Sequence, residues 1–335
     1  MAKVFSTTFL IFGMFVGAGF ASGNEIVVFF SRFGRLSYIY ECIAIGLLFF
    51  VLFFFLKYGR FVTNKIEENK ALNFVMFVSM LVFAASMFAG VINLSSYFNL
   101  PLRICFIVGI LAFAFFITKR GLLGIEKFNF LLMPILAILF FVELCFSLHT
   151  QNFQSVPSRF VGIFYAPLYV ALNILMGVFV LSKQGEKLTK KQAILSCLFS
   201  CTLLSIFLLF GNFVLLRNAK VFVSEMPFLD IFSNNFALFF IEFFVIFCGC
   251  FSTLIVLCFT LKKLLNKYVK NNLFCIFLSV FLPYILACVG FSQIISIFYP
   301  IVSIFGIFVV LFSIFSFKQT NKIIHAKSEQ TEDES

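Results

Sequence analysis

The sequence predicts an all-α membrane protein of about ten transmembrane helices. Three observations carry this. Of the 335 residues, 62% are apolar and only 12% charged, far too little polar surface for a soluble domain of this size. Apolar stretches of about 18 residues or more recur along the chain, each long enough to cross a hydrocarbon core of about 30 Å. The basic residues are also distributed unequally between alternate connectors, as membrane topology requires.

The spans are expected at about 5–33, 37–58, 71–98, 101–118, 128–148, 160–182, 191–216, 236–261, 272–290 and 292–316. Breaker and charge signals separate them, such as Lys57-Tyr-Gly-Arg60, Lys119-Arg-Gly121 and Lys183-Gln-Gly-Glu-Lys187. With a cytoplasmic N-terminus, the cytoplasmic segments hold 19 of the 25 basic residues; Arg32, Arg35, Arg103, Arg159, Arg217 and Lys220 are the six outside. The expected topology is therefore N-in and C-in. Residues 1–316 form a single transmembrane domain, with repeats at about 5–148 and 160–316. Residues 317–335 turn polar and are expected to be a disordered cytoplasmic tail.

The net charge of +11 follows from this topology and needs no nucleic-acid partner. The 57 phenylalanines, with tryptophan absent, are spread over nearly every span and are expected to face lipid. Ten cysteines lie in apolar stretches without a CxxC pair and read as small buried apolar residues. With only His149 and His325 as histidines, no transition-metal site suggests itself. Lys3, the apolar run after it and Gly19-Phe20-Ala21 resemble a signal peptide. Apolar character resumes at Ile26 to Phe30, which favours a retained span.

That first span carries the most information. Gly13, Gly17, Gly19 and Gly23 fall halfway through it, and each glycine costs about 1 kcal/mol against alanine in a helix interior. Ser22-Gly-Asn-Glu25 then has the form of a capping box, which marks a helix start. A helix that starts at mid-membrane has stopped just before, and free backbone at that depth must line a cavity or pack on protein. Transporters place substrate and coupling ion at such breaks. The GxxxG spacing also suits helix packing, but packing leaves the Ser22/Glu25 pattern unexplained.

Span six has an interruption of its own, Tyr165-Ala-Pro-Leu-Tyr-Val-Ala-Leu-Asn173, with Pro167 removing a backbone donor. Spans one and six correspond if the chain is two sets of five in opposite orientation, an inverted repeat. Pro134 and Pro300 in spans five and ten agree with this. Four acids, Glu25, Glu41, Glu143 and Glu242, lie within spans, where charge is costly. Glu41, Glu143 and Glu242 lie near outer ends, as interfacial anchors or partners of Arg32, Arg35 or Arg159. Glu25 is deeper, a cap that is also suited to proton coupling or substrate recognition.

The string Gly13-x-x-Val16-Gly17-Ala18-Gly19-Phe20-Ala21-Ser22-Gly23-x-Glu25-Ile26, followed by Phe29-Phe30 and Phe33-Gly34, resembles the YkvI-type bacterial membrane proteins. These are placed in the amino acid–polyamine–organocation superfamily, with the LeuT-type five-plus-five fold and discontinuous helices one and six. The resemblance implies a multi-pass protein of the bacterial inner membrane. It also implies a sodium site between carbonyls of span one, here Gly13 and Val16, and span eight, where Gly249, Ser252 and Thr253 match. By the same resemblance the solute would meet the Gly17-Ala18-Gly19 amides, faced by Tyr165, Ala166 and Tyr169 of span six; the polar residues Ser22, Glu25 and Asn173 complete the expected solute site. No other cofactor is implied.

The function expected is secondary active transport of a small polar solute, amino-acid-like, coupled to sodium or protons. The alternative is a ligand sensor on the same fold without net transport. An intramembrane enzyme would need a nucleophile–base pair or metal ligands at one cavity, and neither histidine lies at midplane depth. The topology makes the first test. In a cysteine-free background, single cysteines at positions 103 and 220 are expected to react with an impermeant probe from outside. Cysteines at positions 65 and 187 are expected to stay protected, and labelling of these instead would reverse the orientation.

Overall fold

The computed structural model describes residues 1–147 and 156–333, with side chains described for all of these except residues 122, 123, 144, 147 and 320–333. His149 and the side chain of His325 lie outside the described residues. Among the described residues the elements are helical throughout, and nine helices are long and apolar enough to cross a membrane. The first span makes a further crossing in pieces: α1 (Ala2–Phe15), α2 (Ala18–Ala21) and α3 (Asn24–Phe29), followed by a 3-10 segment, Ser31–Leu36. At about 1.5 Å per residue, none of the three pieces spans the core alone.

Spans two to five are α4 (Ser37–Glu68), α5 (Lys70–Ser95), α6 (Leu100–Arg120) and α7 (Leu122–Ser147). Span six is a 3-10 segment, Phe160–Phe164, continued by α8 (Tyr165–Gly185), and span seven is α9 (Lys190–Arg217). A short helix, α10 (Pro227–Phe232), precedes α11 (Phe236–Leu265), the eighth span, and α12 (Asn272–Leu286), the ninth. The last span is α13 (Phe291–Gln293), a π-helical segment Ile294–Phe298, and α14 (Tyr299–Asp333). Side-chain caps start many of these helices: Asn69, Asn99, Asn235 and Asn271 each accept from backbone amides. Thr189 and Gln192 form a full capping box at α9, which satisfies two orphan donors at once.

The packing is reciprocal between halves. α4 packs on α8, and in the same way α9 packs on α1 and α3. α7 packs on α11 as α14 does on α5, and α6 packs on α11 as α12 does on α5. Exchanging each span with the one five later reproduces the contact pattern, as an inverted five-plus-five repeat requires. The two central helices are α5 and α11, and the pieces of span one run between them and α8.

Three expectations need correction. The interruption of span six is not inside Tyr165–Asn173 but at the Phe164/Tyr165 junction, where 3-10 gives way to α-helix. Pro167 sits in the first turn of α8, where a missing N–H leaves no bond unmade. The final helix continues to Asp333, where a disordered tail was expected from residue 317; extending an existing helix avoids the nucleation cost that isolated polar segments face. Phenylalanine also divides between two roles. Phe50, Phe74 and Phe116 face outward, whereas Phe12, Phe20, Phe140 and Phe207 are fully buried.

Along Leu56–Thr63 and Ser182–Gly185, α4 and α8 approach until backbone meets backbone. A Cβ at Gly59 would lie 2.6 Å from Ser182 Cα, and one at Gly185 would overlap the Leu56 carbonyl. Thr63 and Ser182 hydroxyls share a hydrogen bond of 3.1 Å at the same contact. Gly59→Ala is therefore expected to force these helices apart and lower stability by about 1–3 kcal/mol. Gly46→Ala on the same helix, where a Cβ meets nothing within 4 Å, is expected to leave thermal unfolding in detergent unchanged. Equal behaviour of the two variants would contradict the close approach.

Candidate functional site

α1 ends at Val16, whose φ of −87° and ψ of 73° are non-helical. Gly17 follows in an extended conformation, and α2 then makes a single turn. A second interruption comes at Gly23, at φ +83°, which caps α3 from the left-handed region that only glycine enters cheaply. The expected break between Val16 and Gly23 is present. The capping box is not: Ser22 Oγ donates to Gly19 O at 3.3 Å and accepts from Asn24 N at 3.5 Å. Glu25 instead turns back, its Oε2 lying 3.0 Å from where a Gly19 Cβ would be. The left-handed Gly23 carries the reversal that the side chains were expected to cap, and Ser22 O accepts from Phe228 N of α10 at 3.0 Å.

The first break is held by α11. Ser252 Oγ donates to Gly13 O at 2.6 Å and Thr253 Oγ1 donates to the same oxygen at 2.9 Å. A Cβ at Gly249 would sit 3.0 Å from Val16 O and 3.6 Å from Gly17 O, so its absence lets α11 lie against the open turn. All five residues matched to a sodium site thus meet at one place. The oxygens gathered there by hydrogen bonds, Gly13 O, Ser252 Oγ and Thr253 Oγ1, are all uncharged. A sixth neighbour, which nothing in its own segment marks, is Asn129 of α7, whose Oδ1 lies 3.0 Å from the position of a Gly13 Cβ.

Beyond the break, Glu25 is 1% exposed and its Oε1 has no hydrogen-bond partner. It lies in electrostatic range of Tyr169 and of Tyr299. Asn173 Nδ2 donates to Tyr169 O at 2.9 Å, while Asn173 Oδ1 and Tyr169 OH remain without partners. Tyr299 OH and Ser86 Oγ share a 2.6 Å bond. Tyr299 follows the π-helical segment whose Ile295 touches Gly19, and such segments recur at functional sites. Ser86 and Tyr299 are not legible in the sequence, because one hydroxyl in an apolar span gives no periodic signal.

Not every expected solute contact joins this cluster. The Ala18 amide donates to Met87 Sδ at 3.2 Å, so it is already engaged. Ala166 is buried in the first turn of α8. Tyr165 lies apart from it, under the Arg32 guanidinium at 4.6 Å and against Phe33 at 4.9 Å. There it floors an open cavity of about 490 Å³ that Arg32, Arg159 and Phe222 also line. Phe29 and Phe30 pack edge-on against Tyr169 at 5.7 and 5.0 Å.

The other three acids are fully buried rather than interfacial, and among the described residues none is ion-paired with Arg32, Arg35 or Arg159. Glu41 neighbours Asn212, which accepts from Ser31 Oγ and donates to Ser37 Oγ, both at 2.7 Å. Glu143 and Glu242 face each other across α7 and α11. Among the described residues no three His, Cys, Asp or Glu side chains converge as metal ligands.

No family model matches the chain. It is 24% identical over 321 residues to the uncharacterized membrane protein YkvI of Bacillus subtilis (strain 168), covering 88% of this chain and 90% of the relative. Two solved structures of Mhp1 superpose at 12% identity. One is a nucleobase-cation-symport-1 family transporter in a closed conformation with bromovinylhydantoin bound, at TM-score 0.56 over 89% of this chain and 74% of the other. The second is its inward facing conformation, at TM-score 0.59 over 90% and 73%. The fold is LeuT-type. The resemblance to YkvI-type proteins read from the first span therefore extends along nearly the whole chain.

In this LeuT-type fold the second interruption depends on one residue. Gly23→Ala is expected to cost about 1–2 kcal/mol for the left-handed conformation alone, with crowding against Phe228, 3.0 Å away, added to that. Thermal unfolding of the purified variant reads the loss, and wild-type stability would contradict the assigned conformation.

Proposed function

We propose that this protein is a secondary active transporter of a small polar solute, coupled to a cation and working by alternating access. The observation that carries the proposal is the mid-membrane break whose free carbonyl, Gly13 O, is met by the Ser252 and Thr253 hydroxyls. Gly13, Val16, Gly249, Ser252 and Thr253 would hold sodium. The cation symport named for the Mhp1 neighbour supports coupling of this kind. Spans one, two, six and seven pack mainly on one another, as α5, α6, α11 and α12 do. This division suits rocking of one group against the other about a midplane site.

The solute would bind where Glu25, Tyr169 and Asn173 leave polar atoms without partners. Glu25 Oε1 and Asn173 Oδ1 are suited to accept from N–H groups, so the amine end of an amino-acid-like solute has the clearer home. The 19-to-6 distribution of basic residues supports an orientation with both termini inside, and the proposed residence is the bacterial inner membrane.

Proteoliposome uptake tests the proposal, and binding without flux would favour the sensor. Ser252→Ala with Thr253→Val is expected to preserve folding and abolish sodium-dependent uptake. Glu25→Gln keeps the shape and removes the titrating group; it is expected to weaken solute binding while sodium dependence survives. Uptake indifferent to sodium and lost in Glu25→Gln would transfer the coupling to protons.

A further inference from the structure

We propose that Asn129 is a side-chain ligand of the cation site and sets its preference for a monovalent ion. This assignment rests on the proposed coupling site and adds a third wall to it, from span five. Asn129 is 0% exposed, and neither its Oδ1 nor its Nδ2 has a hydrogen-bond partner. A buried amide without partners carries the full desolvation cost of its dipole, and groups of this kind are rare enough that each needs a cause. Packing does not supply one, because a leucine would fill an apolar helix interface without that cost.

The amide is aimed at the break. Around the position of a Gly13 Cβ stand Ser252 Oγ at 2.7 Å, Asn129 Oδ1 at 3.0 Å and Met133 Cγ at 3.0 Å. Asn129 and Met133 lie one turn apart on α7 and share the face turned to Gly13, and Met133 Sδ takes a long contact of 3.9 Å from Ser252 Oγ. The hydroxyl protons of Ser252 and Thr253 are both spent on Gly13 O. What these side chains still offer is lone pairs: those of the two hydroxyls and of the amide oxygen. Acceptors that converge on one point attract a cation, and the absence of any carboxylate among them disfavours calcium, which recruits carboxylates. Met133 closes the remaining side with a soft atom that a hard cation does not seek.

The experiment titrates sodium chloride against purified full-length protein at constant ionic strength, with choline chloride as balance. The sodium-dependent rise in unfolding temperature gives the apparent affinity. Asn129→Ala is expected to weaken sodium by about tenfold or more, the size of one lost contact to a charged group. Asn129→Asp is expected to tighten sodium binding and to create stabilisation by calcium, which wild type lacks. A merely structural amide would not produce that change of selectivity. A wild type without sodium response would overturn the coupling site, and this assignment with it. If wild type responds, Ser252→Ala with Thr253→Val does not, and Asn129→Ala titrates like wild type, the coupling site stands and the role of Asn129 is overturned. Should Asn129→Ala fail to fold, calcium response of Asn129→Asp supports the assignment, and its absence overturns it.

Discussion

A helix that stops halfway across a membrane leaves carbonyl oxygens that no water can reach, and the architecture here is organised around answering them. Gly13 O takes two hydroxyl protons from α11, while the missing side chain at Gly249 lets that helix lie against Val16 O. Without those contacts the break would carry unsatisfied polar backbone in hydrocarbon, at several kcal/mol per group. The constraint fixes the positions of neighbours: α11 must run beside the broken span, and α5 must bring Met87 to the Ala18 amide. The aromatic rings follow. Phe12 before the break and Phe20 after it both abut the stacked pair Phe140–Phe207, so the two sides of the gap are held by one rigid column.

The same economy explains the buried acids. A carboxyl group taken out of water without a partner is expensive, and four such groups survive in this interior. Glu25 borders the break, and Glu41 joins the Ser31–Asn212–Ser37 chain where the first span turns into the second. Glu143 and Glu242 link α7 to α11, the two helices that also carry Asn129 and Ser252. Some basic residues at the helix ends are used differently. Arg60, Lys187 and Lys263 pair with Glu186, Glu126 and Glu67 between elements at the surface, where ion pairs contribute little to stability and much to orientation.

Hydropathy made the spans legible, and the glycine cluster made the break legible, because both are local properties of composition. The details that depend on three-dimensional neighbours were not. Ser22 and Glu25 have the spacing of a capping box, yet Gly23 adopts a left-handed turn and frees Glu25 to face Gly19. Pro167 looked like a break in mid-helix and proved to be a first-turn proline. Asn129, Ser86 and Tyr299 are single polar residues in apolar runs. Nothing in their own segments distinguishes them from Asn173, and only the packing of spans three, five and ten around the first reveals their partners.

The closeness of the two polar clusters bears on coupling. Thr253 Oγ1 lies 3.2 Å from the position of a Gly17 Cβ, and Glu25 Oε2 lies 3.0 Å from that of a Gly19 Cβ. A single turn, α2, therefore has the proposed cation site at its start and the proposed solute site within the same four residues. Its neighbours hold it along its length: the Ala18 amide donates to Met87 Sδ, the Gly19 carbonyl accepts from Ser22 Oγ, and the Phe20 ring packs on Phe140. A cation that draws Gly13 O and Thr253 Oγ1 toward itself must alter the start of this turn, and the Gly19 backbone facing Glu25 moves with it. Affinities linked through one element are linked in both directions, so a solute seated against Glu25 would tighten the cation by the same factor. The short helix between two breaks is thus the one piece of the structure that both ligands would have to share.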